Sequence, residues 1–173
     1  MATASDAQIS GRDIIDQLAG ITPGSPLARV RAHRPDVARY AQSSYEALLE
    51  PEDLAGVSRR EREMVALRVA WLTPSPVVAA RHRERLRRLG ADDAIRAVEQ
   101  FPNGDALSER EMAILCHTDH LTLEPHAATP THIVELKAAG LTPRDIVTIA
   151  QLISFMTFQV RVVVALRALS EDA

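Results

Sequence analysis

The residues best suited to chemistry are an acid and a histidine, Glu63 and His82, which a proline-marked turn separates along the chain. If both flanking segments are helices, a rise of about 1.5 Å per residue brings the two side chains to similar heights in a helical hairpin. A carboxylate beside an imidazole fixes one tautomer and raises the imidazole's basicity, so the pair is suited to relaying a proton. In a purely structural alternative, Glu63 pairs with Arg59 or Arg68 and His82 is an ordinary packed side chain.

The hairpin that carries this pair occurs twice. Residues 61–67, Glu-Arg-Glu-Met-Val-Ala-Leu, return 48 positions later as Glu-Arg-Glu-Met-Ala-Ile-Leu at 109–115. Each copy continues to Leu-Thr-x-x-Pro and then to His-x-x-x-Leu-x-x-x-Gly, where His132 follows His82 by 50 positions. An offset of 48 equates Glu63 with Glu111, which also stands at a capping-box position. Two copies are too few for an open solenoid, so the sequence predicts two related hairpins.

Helix signals surround the repeat. Six Ser-Pro or Thr-Pro dipeptides can each supply a capping hydroxyl and a proline for the first turn of a helix. Ser58 and Ser108 each precede a glutamate by three residues, and Gly90 and Gly140 follow amphipathic segments as left-handed caps. The apolar spacing between these signals is mostly three and four. It predicts an all-α protein with helices near 12–19, 26–33, 35–49, 58–72, 76–89, 91–100, 108–121, 130–139 and 143–169.

Composition narrows the class of protein. The chain has 173 residues, 46% of them hydrophobic, which suffices for one domain with its own core. Its formal charge of −3 means that the protein as a whole does not attract the phosphates of a nucleic acid. The arginines within 81–88 are interpreted as a solvent-exposed helix face or as members of salt bridges between subunits. No nucleic-acid partner is therefore expected. The first twenty residues contain no apolar run of signal-peptide length, so a cytoplasmic protein is expected. No glycine-rich nucleotide loop is present, and no cofactor is expected.

The last predicted helix is apolar around most of its circumference. Ile146 to Val160 is free of charge but too short and too polar to span a membrane, so no membrane partner is expected. An apolar helix needs cover on every side. We therefore expect a symmetric homo-oligomer to bury it, the alternative being the central helix of a monomer.

A single cysteine, Cys116, is consistent with a reducing compartment. It lies at the spacing of the apolar residues of a helix, which predicts a small, buried, hydrophobic side chain. The alternative is a single-cysteine peroxidase in which His117 or His120 lowers the thiol pKa. A metal site built on Cys116 and His120 would need three or four convergent ligands, so none is expected.

Two segments, 61–70 and 81–90, resemble the helices of the alkylhydroperoxidase-D-like, or carboxymuconolactone decarboxylase, superfamily, whose motif is Glu, a turn, Cys-x-x-Cys-x-x-x-His, Leu and Gly. The tail at 153–161, Ile-Ser-Phe-Met-Thr-Phe-Gln-Val-Arg, is similar to the Ile-Ala-Tyr-Phe-Asn-Phe-Val-Asn-Arg ending of its peroxidase-related members. The resemblance covers about residues 35–169. It implies an all-α, alkylhydroperoxidase-D-like fold and homo-oligomers, either trimers or hexamers of dimers or trimers. Residues 1–34 are then an N-terminal extension packing on the core, and 35–173 form the family domain.

The chain departs from the family motif at its two cysteines, because those positions hold Ser75 and Val78. Without a thiolate and a resolving partner, dithiol peroxidase chemistry is not expected. The resemblance then implies acid–base chemistry, decarboxylase- or isomerase-like, on a small organic molecule. Glu63 orients His82, His82 exchanges the proton, Ser75 hydrogen-bonds the substrate and Arg161 pairs with an acidic group on it. The alternatives are a non-catalytic oligomeric binding or scaffold protein, and the single-cysteine peroxidase.

Overall fold

The computed structural model describes residues 13–103 and 107–171, and within these ranges the chain is all-helical, as predicted. Every predicted helix is present, and its ends lie within about two residues of the prediction, although residue 12 of the first one falls outside the described ranges. The helices are α1 Ile14–Ala19, α2 Pro26–Arg31, α3 Pro35–Leu49, α4 Arg59–Leu72, α5 Pro76–Arg88, α6 Asp92–Gln100, α7 Glu109–Leu123, α8 Pro130–Ala138 and α9 Pro143–Glu171, with a 3-10 turn at Pro125–Ala127.

Local capping explains why the helices begin and end where they do. Four of the six Ser/Thr-Pro dipeptides begin helices α2, α5, α8 and α9, whereas Thr22-Pro23 and Thr73-Pro74 lie in turns. Thr73 instead follows the end of α4 and donates its hydroxyl to the Val69 carbonyl at 2.6 Å. Gly90 and Gly140 have φ of 69° and 84°, the left-handed conformation expected after α5 and α8.

In the structure, equivalent residues of the two hairpins are 50 positions apart. The offset of 48 that residue identity gave for the first helix of each hairpin is therefore corrected. Ser58 and Ser108 both form capping boxes, with Glu61 and Glu111 respectively. The two glutamates also accept reciprocal ion pairs: Arg60 Nε lies 2.8 Å from Glu111 Oε1, and Arg110 Nε lies 2.6 Å from Glu61 Oε1. The structural equivalent of Glu111 is therefore Glu61, because the serine that caps each helix fixes the register.

Helices α4, α7 and α9 run side by side in the same direction. Besides the reciprocal pairs at their N-terminal ends, α4 and α7 are joined further along by Arg68 and Asp119, with Nη2 and Oδ2 2.6 Å apart. The start of α9 lies beside the start of α4, because the carboxylate of Asp145 occupies the space that a side chain at Gly56 would need. This parallel arrangement leaves the C-terminal halves of all three helices at the end of the molecule where the α4–α5 turn lies.

Helix α9 is the central helix of the fold. Its inward residues, among them Leu152, Met156 and Val163, are fully buried against α1, α3, α4 and α7. By length and composition alone, Pro143–Ser170 could also cross a membrane, because an 18-residue window within it has a mean hydropathy of 1.8. The core helix of a soluble protein passes the same test, and packing against four helices gives α9 that role.

Candidate acid–base site

The structure brings Glu63 and His82 into direct contact. Glu63 lies on α4 and His82 on α5, and the hairpin places His82 Nδ1 2.7 Å from Glu63 Oε2. Both side chains are buried, with Glu63 2% exposed and His82 fully enclosed. The purely structural alternative named the wrong partners for Glu63, since Arg68 pairs with Asp119.

Arg85 completes the environment of the acid. It lies one turn after His82 on α5, and its Nε is 2.5 Å from the second carboxylate oxygen, Glu63 Oε1. Its Nη1 is 2.6 Å from Glu50 Oε1. Burial alone would raise the pKa of Glu63, but the hydrogen bond from His82, the positive charge of the His82 ring when it is protonated and the Arg85 guanidinium outweigh it and hold that pKa below its ordinary value. Glu63 is therefore a carboxylate at neutral pH.

This carboxylate determines the tautomer of His82. A carboxylate only accepts hydrogen bonds, so the proton of the neutral imidazole is on Nδ1, from which it is donated to Glu63. In this neutral form the other ring nitrogen, Nε2, carries a free lone pair. It is buried and has no hydrogen-bond partner among the described residues. An oriented imidazole with an unused basic nitrogen is the arrangement that a general base requires.

Ser75 lies in the turn that joins α4 to α5, seven residues before His82 and in line with the same face of α5. It is the N-cap residue of α5, yet its hydroxyl makes no capping bond, contrary to the expectation for a Ser-Pro pair. The side chain is 2% exposed and its Oγ has no partner among the described residues. A buried hydroxyl without a partner is energetically unfavourable, and a bound polar group would satisfy it.

Two adjoining cavities meet at Ser75. The first, about 380 Å³, is lined by Trp71, Ser75, Ala79 and Arg83 among others. The second, about 350 Å³, reaches from Ser75 to the C-terminal end of α9. Ala79 lies one turn before His82 on the same face of α5, so the first cavity comes within about 5 Å, one helical turn, of the imidazole level.

Arg161 is not brought to this site. It lies on α9 and lines a different cavity, which includes Thr122 and Phe158 but neither Ser75 nor a residue of α5. Within one chain, the sequence-based grouping of Arg161 with Ser75 around one substrate is not what the geometry shows. The cavity that Ser75 shares with α9 is lined by Val164, Arg167 and Ala168, which follow Arg161 along the helix.

The second hairpin does not repeat the acid–histidine pair. Fifty positions after Glu63 stands Ala113, so His132 has no equivalent carboxylate beside it. Instead the ring of His132 stacks on His120, with centroids 4.3 Å apart. His117 is 6% exposed, and neither of its ring nitrogens has a hydrogen-bond partner within 13–103 or 107–171. Burial, with the nearby His132 and His120, lowers the pKa of His117.

The surroundings of Cys116 do not activate a thiolate. Partial desolvation and the carboxylates of Asp119 and Glu135 raise its pKa, whereas a peroxidatic cysteine needs a lowered one. The side chain is exposed rather than buried, which corrects the expectation of a small core hydrophobe. Among the described residues, no three histidine, cysteine or acidic side chains are grouped to hold a metal ion.

Sequence reasoning missed a half-buried arginine and a buried amide. Arg85 belongs to a run of arginines that was interpreted as a solvated face, but its spacing of three from His82 was a signal that it shares the buried side of α5. Its neighbours Arg83 and Arg88 pair within the chain, with Glu99 and Glu84. Gln159 on α9 is fully buried, neither of its amide atoms has a partner in the described part of the chain, and nothing in the sequence signals this.

Comparison with known proteins supports the fold. A scan against protein-family models and a search of curated proteins gave no match. Among solved structures, an uncharacterized peroxidase-related protein from Silicibacter sp. TM1040 superposes with a TM-score of 0.70 at 20% identity, over 95% of this chain and 85% of that one. An alkylhydroperoxidase AhpD core, an uncharacterized peroxidase-related protein from Ralstonia eutropha JMP134, gives 0.63 at 25% identity, over 90% and 80%. The chain therefore has the alkylhydroperoxidase-D-like fold, and the resemblance to these peroxidase-related proteins is confirmed.

Proposed function

We propose that this protein uses the alkylhydroperoxidase-D-like fold for acid–base chemistry on a small organic molecule, without a dithiol. The observation that carries the proposal is the buried contact of 2.7 Å between Glu63 and His82, which leaves Nε2 of the imidazole as an unpartnered base. Reactions of this type, decarboxylation or isomerisation of a carbon acid, need one group that moves a proton and one that orients the substrate.

Each residue has a distinct part. Glu63 holds the Nδ1–H tautomer and balances the charge that develops when Nε2 accepts a proton. Arg85 keeps Glu63 ionised by binding its second oxygen. Ser75, whose hydroxyl is buried and free, donates to an oxygen of the bound molecule. The substrate occupies the cavity beside Ser75 and Ala79 and approaches His82 past Ala79.

The proposal is tested by exchange of carbon-bound hydrogen in D₂O. A panel of 2-oxo acids, 3-oxo acids and unsaturated lactones is incubated with the protein, and loss of the C–H signal is followed by proton NMR. We expect at least one compound to exchange or decarboxylate faster with the wild-type protein, and H82N to lower that rate at least about 100-fold. A79L should also slow it, because a larger side chain at position 79 narrows the cavity beside Ser75.

Cys116→Ser is the matched control, and it should leave the rate unchanged. A panel that is wholly inert, or a rate that survives H82N and A79L in folded protein, would contradict the acid–base proposal. A rate of peroxide consumption that C116S abolishes would favour the single-cysteine peroxidase instead, a function that the raised pKa of Cys116 does not support.

A non-catalytic oligomeric scaffold is the second candidate, and the outer face of α9 favours it. Val147, Phe158 and Leu169 share one face of α9 and are 55%, 41% and 59% exposed, although the opposite face of the helix is fully buried. Apolar side chains repeated along one helix face are typical of a surface that a partner covers. We propose a homo-oligomer, a trimer or a hexamer of dimers or trimers as the family resemblance implies, in the cytoplasm.

The mass in solution tests this assembly. The double variant V147K/L169K should dissociate the oligomer in light scattering coupled to size exclusion. V134K is the control, because Val134 is 63% exposed but lies on α8. A wild-type monomer, or equal dissociation by both changes, would contradict burial of the α9 face between copies. If a dissociated variant still catalyses the exchange of carbon-bound hydrogen in the substrate, catalysis does not require the oligomer.

A further inference from the structure

A third cavity, separate from the acid–base pair, lies where α7 ends against the middle of α9. Its volume is about 370 Å³. Three apolar side chains, Leu121, Phe158 and Val162, form much of its wall, and Thr122 and Arg161 supply polar groups. No residue of α4 or α5 lines it, so a molecule bound there does not occupy the cavity beside Ser75.

The cation in this cavity has no acidic partner. Arg161 makes no ion pair or side-chain hydrogen bond with any residue in 13–103 or 107–171, whereas Arg144, at the start of the same helix, pairs with Asp53 at 3.2 Å. A guanidinium presents a planar set of donors that matches the two oxygens of a carboxylate. Beside an apolar wall, this group is suited to an anion that carries an apolar body.

A buried hydroxyl that lines the same cavity also lacks a partner. Thr122 is 9% exposed, and its Oγ1 is unpartnered among the described residues. By contrast, the hydroxyl of Thr157, which lines the same cavity, is satisfied by the Ile153 carbonyl at 2.8 Å. An unsatisfied buried group in the wall of a cavity indicates a missing polar partner, since natural structures satisfy nearly all such atoms.

From this arrangement we infer that the cavity is a binding site for a small organic carboxylate with an apolar body. The two carboxylate oxygens accept hydrogen bonds from Arg161, and one of them also accepts from the hydroxyl of Thr122. The apolar body packs against Leu121, Phe158 and Val162. The site is distinct from the proposed acid–base centre and binds its ligand whether or not Glu63 and His82 are intact.

Binding of 4-(trifluoromethyl)benzoate, followed by fluorine NMR, tests the inference, with 4-(trifluoromethyl)benzyl alcohol as the neutral probe of the same shape. We expect the benzoate to bind at least about tenfold more tightly than the alcohol, because hydrogen bonds to a charged group are about twice as strong as neutral ones. Arg161→Gln should abolish that preference. Arg167→Gln is the matched control, because Arg167 is also an exposed arginine of α9 without an ion pair among the described residues, but it lines the cavity that runs from Ser75 to the C-terminal end of α9. It should leave benzoate binding unchanged.

Thr122→Val, which keeps the shape and removes the hydroxyl, should weaken benzoate binding several-fold, and Thr122→Ser should restore it. Equal affinity for the two probes, or equal losses in R161Q and R167Q, would overturn the inference, since binding would then reflect general surface charge. Loss of benzoate binding in H82N with retention in R161Q would also overturn it, because the ligand would then occupy the acid–base cavity. A change of oligomeric mass in R161Q with benzoate affinity unchanged would assign Arg161 to an interface between copies instead.

Discussion

Replacing Glu63 with glutamine should lower the free energy of unfolding by about 3 kcal/mol at neutral pH. The carboxylate is 2% exposed and accepts from two donors, His82 Nδ1 at 2.7 Å and Arg85 Nε at 2.5 Å. The side-chain amide of glutamine has one oxygen, so one of these donors then faces an N–H group. Breaking a buried charged pair from one side costs about 3–5 kcal/mol. The lower end applies here because Arg85 keeps a second partner in Glu50.

Urea unfolding at pH 7, followed by circular dichroism, measures this loss. Glu84→Gln is the control, because Glu84 is 49% exposed and its contact of 3.0 Å with Arg88 is a surface pair, worth less than about 1 kcal/mol. A loss of less than about 1 kcal/mol for E63Q, or a loss equal to that of E84Q, would refute the reasoning that Glu63 and its two hydrogen-bond donors are shielded from water and need each other as partners.

The difference in unfolding free energy between wild type and E63Q should also decrease as the pH falls. The folded-state pKa of Glu63 lies below the ordinary value of 4.5, so the folded state binds fewer protons than the unfolded one in that range. The contribution of its ionised form is complete above about pH 4.5 and is lost as the pH falls through the folded-state pKa. The difference in unfolding free energy between wild type and E63Q should therefore shrink below pH 4.5. A difference that stays constant down to pH 2 would contradict the assignment.

Three further predictions concern polar groups outside the pair. Gln159→Met should stabilise the protein by about 1–2 kcal/mol in urea unfolding, because it removes a buried amide without partners; destabilisation would show that the amide is satisfied in solution. His117→Leu should reduce the loss of stability as the pH falls below 6.5, since the folded-state pKa of His117 lies below that value and the unfolded chain binds the proton more readily; identical pH profiles for the two proteins would contradict this. Cys116 should react with iodoacetamide at pH 7 more slowly than a free model thiol, because its pKa is raised; a faster reaction would indicate an activated thiolate.

The helices could be predicted from the sequence because their ends are set locally. Ser58 and Ser108 lie three residues before the glutamates that complete their capping boxes, and the structure contains both boxes. The offset of the repeat shows the limit of this approach. Residue identity favoured equating Glu63 with Glu111, but the capping serines already indicated the offset of 50 that the structure has. Where identity and capping disagree, capping is the better guide, since it fixes the first turn of the helix.

The acid–base pair could be predicted because both members lie in one hairpin at heights that the helical rise determines. The placement of Arg161 could not, because the helix faces that meet α9 depend on the packing of segments far apart in the chain. Gln159 was missed for a related reason: its amide lies on the buried face of α9 beside apolar residues, and the sequence does not show that it lacks a partner. Tertiary packing therefore decides which polar groups share a cavity.

The protonation state of the His82 ring tests the central claim most directly. Long-range nitrogen–proton NMR of the wild-type protein should show that the neutral form of the ring carries its proton on Nδ1 and not on Nε2, with slow exchange of that proton, and Glu63→Gln should abolish this preference. A proton on Nε2, or rapid exchange with solvent that Glu63→Gln leaves unchanged, would show that the acid does not orient the imidazole in solution.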